Sequence, residues 1–352
     1  MATEKRPAPE ARVARLRGHT VPARVDKRGR SGPTRGELSG PLWRRSSHGY
    51  YVPASVDSEL PEQRIVEAAA VLPGDGGVTG WAALRWRGAM WFTGSADGSR
   101  PLPVTVAISY LDVRPQPGIV VSHEQLRPSD LEVLDGLSIT VPERSALYEM
   151  RHAATVEAAV IVADMVMQAD LVGPEILSAY AATLGTWTGI PQAREALLLA
   201  RENSWSPQET RLRLLWALLA GLPEPLCNQP VFDLAGRHIG TPDLLDPVAG
   251  VAGEYEGVVH LERRRRGLDV RREQAFLDAG LECFPVVATD WNDVALIAAR
   301  IRSAYARAAR RLVSDRAWTI EQPYWWMPTD TVARRRALSD LDRQVWLSRR
   351  AG

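Results

Sequence analysis

The stretch from Arg237 to His260, RHIGTPDLLDPVAGVAGEYEGVVH, restricts the fold of this chain more than any other. Two strand-like runs flank Asp246-Pro247-Val248-Ala249-Gly250, a turn composition that folds the second run back beside the first. Alternation along a strand sends Glu254 and Glu256 to one side, with Tyr255 between them, and brings them next to Asp243 on the first run. Val251, Ala252, Val258 and Val259 flank the two glutamates, and apolar company of this kind is expected of a central strand. Carboxylates gathered in such a place need a counter-charge. Oxygen donors suit Mg²⁺ or Mn²⁺. The alternative is a solvated hairpin face, the ordinary position of alternating charge.

A length of 352 residues leaves room for two or three domains. Two cysteines, Cys227 and Cys283, exclude a disulfide framework and a thiolate zinc site, and suit a reducing compartment. The polar N-terminus lacks the apolar core of a signal peptide. The most apolar stretch, 154–172, carries Glu157, Asp164 and Asp170 and reads as a core helix, not a membrane span. A cytoplasmic protein without a membrane partner is expected. Net charge is only +1, but it is unevenly spread. Residues 1–45 hold twelve lysines and arginines against four acidic residues, and Arg263 to Arg266 form an unbroken basic run. Basic clusters in a near-neutral chain fit a polyanion such as DNA. Arg44, Arg45, Arg264 and Arg265 are the candidate contacts; a solvated arginine-rich surface is the other reading.

The chain is expected to divide into four segments, the bounds of the middle two being those that family resemblances imply. Residues 1–32, rich in Arg, Pro and Gly, read as a disordered basic tail. A mixed α/β region is expected over 33–200, a second domain over 201–312, and a Trp- and Arg-rich arm with one amphipathic helix over 313–352. Within the first region a short helix and turn precede a strand near Gly49 to Val52. Helices follow over 60–72 and 79–88, strands over 103–110, 118–122 and 138–141, then helices to about residue 202.

Ser206-Pro207-Gln208-Glu209 opens a helix that continues TRLRLLWALLAGLP, and Ser206-x-x-Glu209 is also a capping box. Asp243, then Glu254-Tyr255-Glu256-Gly257 and His260, then Asp269-x-x-Arg272, then the strand Glu282 to Val287 follow in order. This succession resembles the PD-(D/E)XK nuclease superfamily, in the branch similar to the very-short-patch repair endonuclease. The resemblance implies a restriction-endonuclease-like αβββαβ core. It implies Mg²⁺ or Mn²⁺ held by Asp243 and Glu254, with Glu209 or Glu256 assisting. Arg272 would stabilise charge on phosphoryl oxygens and His260 would shuttle a proton. The family's lysine position holds Glu256, and the only lysines are Lys5 and Lys27, so the cation at the site must be Arg or His, or the metal alone.

The front half carries Thr34-Arg35 through Tyr51-Val52, Gly80-Trp81-Ala82-Ala83 and Ile139-Thr140-Val141-Pro142-Glu143-Arg144. These are similar to the N-terminal region of actinobacterial proteins related to AbiEi-type antitoxins. That likeness implies a winged-helix-like element near 34–52, DNA binding by a helix near 34–45, and a cognate toxin as a possible partner. Two functions are therefore expected of such a chain: a metal-dependent DNA endonuclease, or a transcriptional regulator that retains an inactive nuclease-like domain.

Overall fold

Residues 8–96, 98–109, 113–256 and 272–351 are described by the computed structural model. The chain is mixed α/β and divides into two units, Met1–His152 and Ala153–Gly352. Among the described residues, no helix is long and apolar enough to cross a membrane.

The first unit begins with β1 (Arg15–Leu16) and β2 (His19–Thr20), and then the hairpin β3 (Trp43–Ser47) and β4 (Tyr50–Pro53). After α1 (Pro61–Ala69) come β5 (Gly77–Thr79) and α2 (Trp81–Trp86), β6 (Val104–Ala107), β7 (Ile119–Ser122), β8 (Leu131–Leu134), β9 (Leu137–Thr140) and α3 (Pro142–His152). Five of these strands form one sheet in the order β7-β6-β5-β9-β8. Pairing is parallel at β6–β7 and β5–β9 and antiparallel elsewhere. Helix α1 turns Ile65 and Val66 into a core shared with Val78, Trp81, Val106 and Ile139.

Two expectations for this unit change. Residues 8–32 are folded, not a disordered tail. Arg12 is 6% exposed and forks onto Glu37, with Nη1 to Oε2 at 3.1 Å and Nη2 to Oε1 at 3.0 Å. The Asp26 carboxylate accepts N–H groups of Arg28, Arg30 and Ser31, and these bonds hold its pKa far below the usual carboxylate range. Arg12 is thus neutralised just beyond the segment, and Arg17 pairs with Asp135. In addition, residues 34–45 form no recognition helix. They hold one 3₁₀ turn, Glu37–Ser39, and the start of β3. Gly36, Gly40 and Pro41 interrupt any helix there.

The second unit opens with α4 (Val156–Gln168), α5 (Pro174–Thr183), α6 (Ile190–Leu199) and α7 (Pro207–Leu214), which widens into a π turn over Leu215–Leu219. The sequence suggests a boundary near residue 200, but these helices pack within the second unit. The cause lies in Asp164 on α4, which is fully buried. It accepts Arg201 N at 2.7 Å, Thr210 Oγ1 at 2.8 Å and Arg213 Nη2 at 3.0 Å. A buried carboxylate satisfied only from α7 and its approach fixes α4 to that helix.

Next come β10 (Leu226–Cys227), β11 (Val231–Asp233), β12 (His238–Gly240), β13 (Leu244–Asp246) and β14 (Val251–Glu256), α8 (272–278), β15 (Glu282–Val287) and α9 (Val294–Ala308). The hairpin forms as its turn composition suggests, with Leu244 opposite Gly253 and Asp246 opposite Val251. The central sheet runs β10-β13-β14-β15, antiparallel except for the parallel β14–β15 pair. Strand β14 is therefore central. Leu244, Val251 and Phe284 face a core with Trp216 and Ile297, while Leu245 and Ala252 face Phe276 and Trp318 on the opposite side.

A second sheet, β12-β11-β16, takes its last strand β16 (Trp318–Thr319) from the C-terminal segment. Trp326 stacks near Phe232 and His238, at ring-centroid distances of 5.0 and 4.7 Å. The amphipathic helix expected after it is two helices, α10 (Val332–Arg336) and α11 (Asp340–Ala351). The second starts afresh where Ser339 Oγ accepts Asp342 N at 3.2 Å.

Candidate active site

Strand parity decides which carboxylates meet. Asp243 shares parity with Leu245, and Glu254 with Ala252, so both project on the face that α8 covers. Helix α8 supplies Arg272 there, and its Nη2 donates to Glu254 Oε2 at 2.9 Å. Gly240 makes room for that arginine: a Cβ at this position would lie 2.7 Å from the Phe276 ring and 3.1 Å from Arg272 Cγ.

Glu209 arrives from the start of α7. Ser206 caps the helix by accepting Glu209 N at 3.2 Å, with Pro207 in the first helical position. The Glu209 side chain, 7% exposed, accepts Trp205 N at 2.8 Å and Asn228 Nδ2 at 2.7 Å through Oε2. The cap and the site are thus one arrangement.

Asn228 joins the two halves, a role no sequence pattern revealed. Its backbone N donates to Asp243 O at 2.8 Å while its side chain holds Glu209. It is 2% exposed and sits at φ 47°, the left-handed region that asparagine tolerates better than most residues. The one available signal was an asparagine two residues before Pro230, a turn composition.

The Asp243 carboxyl is strongly perturbed. Its residue surface is only partly covered, but the carboxyl itself is enclosed. Burial first, and then the negative field of Glu209, push its pKa up to about 8, against the opposing pull of Tyr255 N–H and Arg272. Tyr255 N donates to Oδ2 at 2.7 Å. Nearby Cys283 is raised to about 12, by burial and then by Glu254, so it is a poor nucleophile at neutral pH.

Of the residues singled out from sequence, the structure gathers Asp243, Glu209, Glu254 and Arg272. Glu256 is exposed at the last residue of β14. His260, Arg264 and Arg265 lie outside the described residues. Arg44 is not available as a DNA contact: it forks onto Glu67 at 2.6 and 3.0 Å and bonds Val56 O. Arg45 is exposed.

Among the described residues, no three His, Cys, Asp or Glu side chains are grouped closely enough to form a metal cage by themselves. Two carboxylates with waters and substrate oxygens are the usual provision for Mg²⁺. Burial and the negative field of Glu209 outweigh Arg272 and keep the Asp243 carboxyl protonated, and a cation would add the positive charge needed to ionise it. The residues fit such an ion. Compared with protein-family models, curated proteins and solved structures, the chain shows no match.

Proposed function

We propose that the chain is a DNA-binding protein whose second unit hydrolyses phosphodiester bonds with the help of Mg²⁺ or Mn²⁺. One observation carries this reading: the Asp243 carboxyl, raised to about 8 by burial and Glu209, lies in the field of an arginine that also binds Glu254. Perturbed acids with a specific charge partner concentrate at functional sites. The order of α7, β13, β14, α8 and β15 supports the nuclease-like resemblance.

Asp243 and Glu254 would hold the ion, and Glu209 would stay fixed on Trp205 N and Asn228, adding negative potential. When bound, the ion would neutralise charge building on the scissile phosphate. Asp243 would release its proton from the carboxyl to solvent as the cation takes its place. Arg272 would supply the fixed cation that lysine provides in the family, turning N–H donors toward phosphoryl oxygens. Its salt bridge to Glu254 orients the guanidinium before substrate arrives.

The test is incubation of the full-length protein with supercoiled plasmid in Mn²⁺, Mg²⁺ or EDTA. Nicking is expected with either metal and not with EDTA. Asp243→Ala should abolish it, and Arg272→Ala should slow it by about 100-fold or more. Nicking by both variants at the parental rate would show that the site is wrongly assigned. Sequence-specific gel retardation without any nicking would point instead to a regulator of the antitoxin kind, with a toxin protein as its partner.

A further inference from the structure

The first unit holds a cleft of about 960 Å³ beside the β3–β4 turn, within the range of small-molecule sites. Its wall is fixed where His48 N donates to Gln116 Oε1 at 2.9 Å, tying the turn to the loop that precedes β7. That loop is held in turn by reciprocal backbone bonds between Gln116 and Ile119 at 2.9 and 3.3 Å.

Arg24, Arg45, His48 and Arg114 line the cleft, and none of its described lining residues is acidic. The contrast with neighbouring arginines is informative. Arg12 and Arg44 are neutralised by Glu37 and Glu67. Arg45 instead donates to Ser47 O at 3.3 Å and to His48 Nδ1 at 2.8 Å, and Arg24 donates to Tyr50 OH at 2.8 Å while lying 4.8 Å from its ring centroid. Neutral partners orient these guanidinium groups without cancelling their charge. Arg114, on the exposed loop, has no ion pair among the described residues. Because His48 Nδ1 accepts from Arg45, the ring proton is on Nε2, which adds a donor.

Two further features point to a ligand. The hydroxyls of Ser46 and Ser47 are buried beside the cleft without a hydrogen-bond partner, and Ser47 is 4% exposed. A side-chain rotation would let them serve an oxyanion, and buried polar groups left unsatisfied are costly. The remaining wall is apolar and stiff, built from Leu72, Pro73, Pro115 and Pro117. Contact with a duplex backbone needs exposed cations but no apolar-walled cleft. A phosphate joined to a flat ring needs both.

We propose that this cleft binds a nucleotide, with its phosphates on Arg24, Arg45 and Arg114 and its base against the Leu72 and proline wall. The site belongs to the first unit and does not depend on the reading given for the second.

Isothermal titration of the full-length protein with ATP, AMP, inorganic pyrophosphate and a single-stranded DNA 12-mer tests this. ATP is expected to bind, and more tightly than pyrophosphate. Arg45→Ala and Arg114→Glu should each weaken ATP by about tenfold or more, while the charge-matched changes Arg310→Ala and Arg310→Glu at an exposed position should not. Arg114 lies on an exposed loop, so its variant keeps the test valid even if Arg45→Ala disturbs the hairpin. Pyrophosphate binding as tightly as ATP would reduce the cleft to a simple anion site and overturn the proposal. So would tighter binding of the 12-mer, ATP affinity unchanged in both variants, or no ATP binding at all.

Discussion

At the scale of single residues, Asp243 has the plainest consequence. Folding raises its pKa from an ordinary 3.8 to about 8. Between those values the folded chain keeps a proton that the unfolded chain has released. The stability tied to that proton is complete below about pH 4 and is lost as pH climbs toward 8. Asparagine copies the protonated form at every pH. Asp243→Asn should therefore match the parent near pH 4 and exceed its stability at pH 8 by about 5 kcal/mol without divalent metal. Urea unfolding at pH 4.5, 6 and 8 measures the gap; a gap that stays constant with pH would contradict the raised pKa. Asn228 shows the opposite kind of residue, perturbed in its backbone and invisible in the sequence. Its position at φ 47° is set by two distant acceptors, Asp243 O and Glu209 Oε2, that only the folded chain brings together.

At the scale of elements, the central hairpin is tightly specified. Gly253 of β14 lies against the aromatic face of the sheet, where a Cβ would fall 2.6 Å from the Phe284 ring and 3.0 Å from that of Trp216. Trp216 in turn packs on Phe284 and Tyr305 at centroid distances of 5.3 and 5.9 Å, so neither ring is free to yield. Gly253→Ala should destabilise the protein by about 1–3 kcal/mol through overpacking, read as a lower urea midpoint with an unchanged slope. The hairpin was legible in the sequence because its turn residues and its apolar runs point to the same structure. So was α7, whose Ser206-Pro207 start carries its own signal. Strand β5 was not legible: Gly77, Val78 and Thr79 are all buried, which leaves no alternation to detect. Strand β3 was hidden by Arg44 and Arg45, whose side chains look solvated until Glu67 and His48 are brought beside them. In the site, the acids were legible from local pattern. The link from Arg272 to Glu254 depended on α8 covering that face of the sheet, which strand parity alone does not determine.

At the scale of the whole molecule, each unit carries its own core, and the second closes only through the end of the chain. Strand β16 pairs Trp318 with Asp233, Trp326 seats on Phe232, and Arg335, 1% exposed, donates to Asp170 at 2.6 Å and Met167 O at 2.8 Å. Ending the chain at residue 316 would uncover Phe232 and leave Asp170 without its buried partner. Such a truncation should lose the calorimetric transition of the second unit and keep that of the first. A melt with both transitions intact would show the C-terminal segment to be dispensable. This closure also bears on how the protein is made. Asp170 must wait for a partner 165 residues later in the chain, and at about 5–20 residues per second a ribosome takes on the order of ten seconds or more to supply it. During that interval the nascent second unit has its helices and acids but not its fastening. Any activity of the site would therefore arise only once the segment that carries Arg335 has been made.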